Sequence, residues 1–134
     1  MMSVDTRDSQ HRPTVLCIDD EPVGLMVRAK MLEMSGFSVI TGADGPTALE
    51  LFQANEVDVV LLDYVMPRMD GGEVARALRL INPKKPIIML SAYISLPEEV
   101  SSAVDLCLVK GLPPEELVAA IRSVLGNGRT EGTA

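Results

Sequence analysis

Residues 57–63 read VDVVLLD, the most apolar strand candidate of the chain, with Asp63 directly at its end. An apolar run of this length with little polar alternation is typical of a strand that is buried on both faces of a sheet. We therefore expect residues 57–62 to form a central strand. Asp63 would then lie at the carboxyl end of that strand.

Shorter β-branched or apolar runs lie on both sides of this segment, and amphipathic segments alternate with them. The predicted strands are residues 14–18, 38–41, 57–62, 87–90 and 106–109. The predicted helices run from Pro22 to about Gly36 and over residues 46–55, 70–81, 97–104 and 114–125. This alternation predicts an α/β fold of five strands and five helices, with a mainly parallel sheet that is covered on both faces. Strand 38–41 is the more polar one, so we expect it at an edge.

The chain has 134 residues, which suits one domain, and only two Phe, two Tyr and no Trp, so the core must be aliphatic. We expect the domain to span residues 13–125, with polar or Gly-rich tails at 1–12 and 126–134. The net charge of −7 argues against direct nucleic-acid binding. No apolar run approaches the ~18 residues of a membrane helix, so the cytoplasm is the expected location.

Two cysteines, Cys17 and Cys107, lie inside apolar runs. Small buried thiols are the ordinary expectation for both, rather than a disulfide or a metal ligand. They indicate a reducing compartment.

Polar residues collect where the predicted strands end. Asp19-Asp20 follows the first strand, Asp63 the third, Ser91 the fourth and Lys110 the fifth. Each alone is ordinary, since such residues usually cap helices or lie on the surface. In an open parallel sheet, however, the carboxyl ends of the strands form one crevice. Three carboxylates there would repel one another without a cation, and carboxylate oxygens are ligands that Mg²⁺ prefers. The set indicates a metal site that receives an anionic phosphate.

Four segments then resemble the signature stretches of the response-regulator receiver family of two-component signalling. They are CIDDEP at 17–22, VVLLDYVMPRMDG at 59–71, IIMLSAY at 87–93 and LVKG at 108–111. The resemblance covers roughly residues 13 to 125. It implies a flavodoxin-like, doubly wound sheet with the strand order 2-1-3-4-5, which is a known order for such proteins.

The resemblance also implies a role for each residue. Asp63 would be the phosphoacceptor, and Asp20, Asp63 and the backbone carbonyl of Val65 would hold Mg²⁺. Asp19 would act mostly through a water ligand of the ion. Ser91 would donate its hydroxyl to a phosphoryl oxygen, and Lys110 would be the pairing cation. Phosphoryl transfer depends on such positioning and charge neutralisation.

The sequence departs from the family at three positions. Cys107 stands where an aromatic residue usually takes part in the switch, which leaves Tyr93 to pack on the site or to cover it; we favour packing. Gly111 follows Lys110 where the family tends to have proline, often after a cis bond, so we expect a trans bond with unusual glycine torsions. Val65 offers no polar group to orient a hydrolytic water, which predicts slow self-dephosphorylation.

The leading hypothesis is a switch that is phosphorylated on Asp63 by a histidine kinase or phosphotransfer protein and signals to a downstream protein target. It would catalyse only its own phosphorylation and dephosphorylation and is not expected to be a turnover enzyme. A phosphorylation-dependent homodimer stays open. No output domain is recognisable after Leu125, which fits signalling by protein contact and equally fits a piece of a longer chain.

Two alternatives compete with the switch. A receiver-fold docking module with little phosphorylation control would show no response of the fourth helix and fifth strand to beryllofluoride with Mg²⁺. A small phosphatase with an aspartyl nucleophile, like the haloacid dehalogenases, would need a second Asp where this chain has Val65. That position makes the phosphatase the weakest reading.

Overall fold

The computed structural model describes residues 12–93 and 95–133, and the side chains of that part up to Gly126. Its strands are β1 (Thr14–Ile18), β2 (Ser38–Gly42), β3 (Val59–Asp63), β4 (Ile87–Ser91) and β5 (Leu106–Val109). Its helices are α1 (Pro22–Met34), α2 (Gly45–Ala54), α3 (Gly71–Ile81), α4 (Glu98–Ser101) and α5 (Pro114–Thr133). The predicted alternation of five strands with five helices is confirmed across this part of the chain.

All strands pair in parallel, in the order β2-β1-β3-β4-β5. The predicted order, the edge position of β2 and the central position of β3 are therefore confirmed. The order reverses direction between β1 and β3, and Asp63 ends β3 beside this switch, opposite Leu90 of β4. Loops diverge at such a point and leave an open crevice at the carboxyl ends of the strands.

Successive residues of β3 serve opposite faces of the sheet, and every residue of this strand is buried. Val60 and Leu62 join one core cluster with α2, α3 and α4, while Val59 and Leu61 join the other with α1 and α5. Because a strand alternates its side chains, one apolar run supplies both layers of the core. This explains why the VDVVLLD segment lacks polar alternation.

Two helix starts bring the backbone back to the strand ends. The Glu21 side chain accepts the Gly24 N–H at 3.0 Å and Pro22 begins α1, as the sequence indicated. At α3, Asp70 accepts the Glu73 N–H and the Glu73 side chain accepts the Asp70 N–H, both at 2.9 Å, a complete capping box. These caps fix the helix starts next to Asp19 and Asp63.

The boundaries of several elements differ from the prediction. Strand β3 begins at Val59 instead of Val57, and α4 covers only Glu98–Ser101 instead of residues 97–104. Helix α5 continues to Thr133, so the predicted helix end at Leu125 is wrong, and residues 126–133 are helical. A glycine in a helix costs about 1 kcal/mol relative to alanine, but it does not end the helix by itself. Each added residue other than proline still contributes a backbone hydrogen bond. Residues 1–11 of the predicted N-terminal tail, and Ala134, lie outside the described residues.

The helical spacing of the apolar residues Leu25, Met26 and Leu32 predicts that all three lie on the buried face of α1. Leu25 and Leu32 are buried, but Met26 is 64% exposed, so the buried face differs from the predicted one. Arg28 lies between the two leucines, at helical spacing i, i+3 and i+7, with a side chain only 15% exposed. The face of α1 that meets the sheet therefore carries a charged residue that the apolar pattern did not reveal.

The two cysteines have different surroundings. Cys17 is buried in β1, as predicted, whereas Cys107 is exposed, which corrects the expectation of a second buried thiol. The reason is its place on β5, an edge strand. Leu106 and Leu108 pack on the cluster beneath α1 and α5, so Cys107 points to the opposite face, where α4 has only four residues.

Within residues 12–93 and 95–133, no helix combines the length and the apolar character that crossing a membrane would require.

The burial pattern of α3 yields a stability prediction. Leu78 is fully buried, while Leu80, two residues later on the same helix, is 88% exposed. We expect Leu78→Ala to lower the free energy of unfolding by about 2–5 kcal/mol, because it leaves a cavity in the core. Leu80→Ala is the matched control and should change that free energy by about 0.5 kcal/mol or less. Urea unfolding followed by circular dichroism measures both; equal losses would contradict this placement of α3.

Candidate functional site

The strand ends bring the predicted polar residues to one edge of the sheet. Asp19 and Asp20 follow β1, Asp63 ends β3 and Ser91 ends β4. Lys110 follows β5, and its backbone N–H donates to the Ser91 carbonyl at 2.8 Å, which extends the β4–β5 pairing by one bond. The parallel register is therefore what assembles these residues from four separate segments of sequence.

Three carboxylates form the centre of this site. Asp19, Asp20 and Asp63 each offer an oxygen, and these oxygens all lie within 4.8 Å of one another. Asp19 and Asp63 are buried, whereas Asp20 is exposed. A set of hard oxygen donors with one side open to solvent fits Mg²⁺, which binds few protein carboxylates and keeps several waters.

Lys110 reaches into the carboxylate cluster. Its Nζ lies 3.0 Å from Asp63 Oδ1 and 3.4 Å from Asp19 Oδ2. Gly111 follows with φ +93°, and the described residues contain no cis peptide bond. The expected trans bond with unusual glycine torsions is confirmed, and a residue with a side chain would be strained there.

The pKa values of Asp63 and Lys110 are both raised, but for different reasons. Burial raises the pKa of Asp63, and the nearby Asp19 and Asp20 carboxylates raise it further, although Lys110 pulls it down. Burial opposes the charge on Lys110 too, but Asp63 and Asp19 hold the pKa of its ammonium above the usual value. The ionised form of Asp63 is thus destabilised by its surroundings and is stabilised by a neighbouring cation.

Asp19 is the carboxylate with the most complete set of partners. Its Oδ1 accepts the Glu21 N–H at 3.0 Å, and its Oδ2 accepts from Arg28 Nη1 at 3.0 Å. Burial alone would raise the pKa of Asp19, but the Glu21 N–H, Arg28 and Lys110 together hold it below the usual value. Asp19 is therefore an ionised group that is already paired inside the protein.

The sequence reasoning missed Arg28. Its signal was present in the sequence, because an arginine stood three residues after Leu25 and four before Leu32, on the stripe that faces the sheet. A charge in that position needs a partner, and an acidic pair directly precedes the helix. Only the fold shows that Asp19, not Asp20, is the partner.

The loop after Asp63 passes very close to the start of α3. A Cβ at Gly71 would lie 2.5 Å from the Asp63 carbonyl oxygen and 2.9 Å from Tyr64 Cα. The Gly71 N–H instead donates to the Tyr64 carbonyl at 2.7 Å. Only glycine permits this approach, which fixes the backbone that carries Asp63.

The remaining predicted residues line the rim. Ser91 is buried, and the Tyr93 N–H donates to its Oγ at 2.9 Å. The Tyr93 ring packs edge-on against Tyr64 with ring centroids 6.3 Å apart, yet it is 58% exposed. Packing on Tyr64 agrees with the favoured reading of Tyr93. Val65 is 57% exposed. The catalytic and metal-binding roles expected for Ser91, Val65 and the others stay predictions.

Comparison with known proteins places this geometry in a family. The model of the response regulator receiver domain matches residues 15–122. A probable transcriptional regulator, ycf27, of Guillardia theta is 37% identical over 121 residues, which are 88% of this chain and 47% of that protein. Response regulator MprA of Mycobacterium sp. (strain KMS) is 38% identical over 83% of this chain and 50% of its own length. The chain thus spans about half the length of these relatives.

Solved structures agree over almost their whole length. The response regulator TrrA of Thermotoga maritima, solved in complex with Mg²⁺ and BeF, is 31% identical with a TM-score of 0.79. The match covers 84% of this chain and 98% of that one. The chemotaxis protein CheY4 of Vibrio cholerae is 33% identical with a TM-score of 0.76, at the same coverage.

The raised pKa of Asp63 gives a pH prediction for the metal-free protein. Since its pKa is raised by folding, this group favours the fold while protonated and loses that contribution as the pH rises through its folded pKa. In EDTA at neutral pH, we expect the free energy of unfolding of Asp63→Asn to exceed that of wild type by on the order of 1 kcal/mol, as measured by urea unfolding. The difference should shrink as the pH falls through the folded pKa of Asp63 and should be gone below the pKa of an ordinary aspartate. A variant less stable than wild type at neutral pH would contradict this.

Proposed function

The chain belongs to the response regulator receiver domain family, and from that premise we propose that it is a signalling switch phosphorylated on Asp63. The phosphoryl group would come from a histidine kinase or a phosphotransfer protein, in a Mg²⁺-dependent reaction. One observation carries the proposal: the buried Asp63 carboxylate lies within 4.8 Å of two further carboxylates and 3.0 Å from Lys110.

The reaction we propose needs little covalent work from the protein. An Asp63 oxygen attacks phosphorus, an O–P bond forms, and the P–N bond of phosphohistidine breaks, so that Asp63 becomes an acyl phosphate. Lys110, already at Asp63 Oδ1, pairs with a phosphoryl oxygen. Bound Mg²⁺ would supply charge neutralisation for the incoming phosphoryl oxygens. Asp20 and Asp63 are the ligands that this chain offers directly, together with the Val65 carbonyl.

Ser91 is the residue through which the new charge would act. Its Oγ accepts the Tyr93 N–H, and a hydroxyl keeps one hydrogen to donate. A phosphoryl group adds about −1.5 to −2 charges at Asp63. Donation from Ser91 to that group would draw the β4–α4 connection inward and shift the surface formed by α4, β5 and α5.

We propose a protein as the direct target of that surface. The relatives of Guillardia theta and Mycobacterium are named as regulators and are about twice as long as the matched region, so about half of each lies outside the match. The chain itself has a net charge of −7, which disfavours direct contact with nucleic acid. We also propose that the chain acts in the cytoplasm and that it does not turn over an outside substrate.

The docking module remains the second candidate, and one observation favours it. Cys107, in the position that usually carries the aromatic switch residue, is exposed on β5 and offers no ring to move. The fold and the acidic site would then be kept while β5 responds little to phosphorylation.

The central prediction concerns phosphorylation itself. Incubated with acetyl phosphate and Mg²⁺, wild type should gain the mass of one phosphoryl group by intact mass spectrometry, and EDTA should abolish the gain. Asp63→Asn should gain none. Asp58→Asn is the matched control, because Asp58 lies at the amino end of β3, where it accepts the Thr14 N–H at 2.7 Å. The proposal fails if wild type stays unmodified or if Asp63→Asn is modified equally.

Val65 gives a second prediction, on the lifetime of the phosphoryl group. Its apolar, exposed side chain cannot orient an attacking water, so loss of the group should be slow. We expect Val65→Gln to shorten the half-life by roughly tenfold, since a polar group can then hold the water. Leu80→Gln, a similar change on the far end of α3, should leave it unchanged. A wild-type half-life of seconds would refute the slow reaction.

A further inference from the structure

Arg28 is a buried cation that the proposed reaction does not use. Its side chain is 15% exposed and lies on the face of α1 that also buries Leu25 and Leu32. A guanidinium cannot leave the charged state at any ordinary pH, so its burial requires a compensating anion. Asp19, at 3.0 Å, is the ion-pair partner that the described residues provide.

The ion pair with Arg28 occupies Asp19, one of the three carboxylates of the acidic cluster. Asp19 Oδ2 accepts from Arg28 and also lies 3.4 Å from Lys110 Nζ, while Asp19 Oδ1 accepts the Glu21 N–H. Two resident cations thus contact two of the three carboxylates, Asp19 and Asp63, before any metal ion enters. A divalent ion must approach against both positive charges and compete with them for Asp19.

We propose that Arg28 is a positioning residue that holds Asp19 within the protein and thereby sets a weak affinity of the site for Mg²⁺. Arg28 acts as an internal counter-ion that stabilises the metal-free state. This inference rests on the proposed Mg²⁺ site, but it requires no phosphoryl transfer.

The test is a titration of the metal-free full chain with MgCl₂ by isothermal titration calorimetry. Arg28→Leu removes the charge and suits the apolar stripe of α1, so Mg²⁺ should bind about tenfold more tightly than to wild type. Arg28→Lys restores the charge and should return the affinity towards that of wild type. A structural role for Arg28 alone would not produce this rescue by charge.

Arg122→Leu is the matched control for net charge. Arg122 lies on α5, stacks 4.6 Å from the centroid of the Phe37 ring and donates to the Ser35 carbonyl at 2.8 Å. It should alter the Mg²⁺ affinity by less than about twofold, because solvent and salt screen a charge outside the site.

Thermal unfolding in EDTA and in saturating MgCl₂ supplies a second readout. Arg28→Leu should melt below wild type in EDTA and gain more from Mg²⁺ than wild type does, since tighter binding stabilises more. If the variant is unfolded in EDTA, its recovery by Mg²⁺ gives the same support.

Two other outcomes would each contradict a specific claim. If wild type binds Mg²⁺ and Arg28→Leu binds it equally or more weakly, the inference is wrong while the proposed metal site stands. If wild type binds no Mg²⁺, the proposed metal site fails and the inference fails with it.

Discussion

Repulsion among Asp19, Asp20 and Asp63 is the constraint on which the rest of this site depends. Their oxygens lie within 4.8 Å of one another, and two of the three side chains are buried. Such a group is costly unless positive charge surrounds it. The protein supplies that charge from two sides, through Lys110 after β5 and Arg28 on α1. The cluster is thus held together, yet burial and the neighbouring carboxylates still raise the pKa of Asp63, which is consistent with a site for a divalent cation.

The fold makes this arrangement possible because the strands are apolar along their length and polar residues follow where they end. The strand interiors of β1, β3 and β4 are almost wholly buried and supply both core layers. Polar groups follow where those strands end, at the switch in strand order. The close approach of Gly71 to the Asp63 backbone then fixes the end of β3 against α3. Rigid packing below the site is what holds like charges at short distance.

The region that we propose as the output surface is less buried than the strands that carry the site. Strand β5 is an edge strand with alternating exposure, and α4 has four residues. Arg79 ties this region to the rest of the fold through the Ala103 carbonyl at 2.8 Å and the Asp105 carboxylate at 2.7 Å. Elements with few buried contacts have the lowest local stability and respond most to a change in charge nearby. Cys107 leaves this surface without an aromatic side chain at the position where the family usually has one.

The sequence by itself determined the α/β class, the central place of β3 and the residues that follow each strand, because strand burial and strand ends are properties of short segments. Its resemblance to a family supplied the strand order. It did not determine the partner of Arg28, the exposure of Cys107 or the end of α5, because each depends on what another part of the chain covers. Arg28 lies on an apolar stripe, and only the packing of α1 beside Asp19 explains its charge there. Cys107 lies in an apolar run, and only its edge position beside the short α4 exposes it. Periodicity reports which face of a segment is apolar, whereas the tertiary structure decides what that face meets.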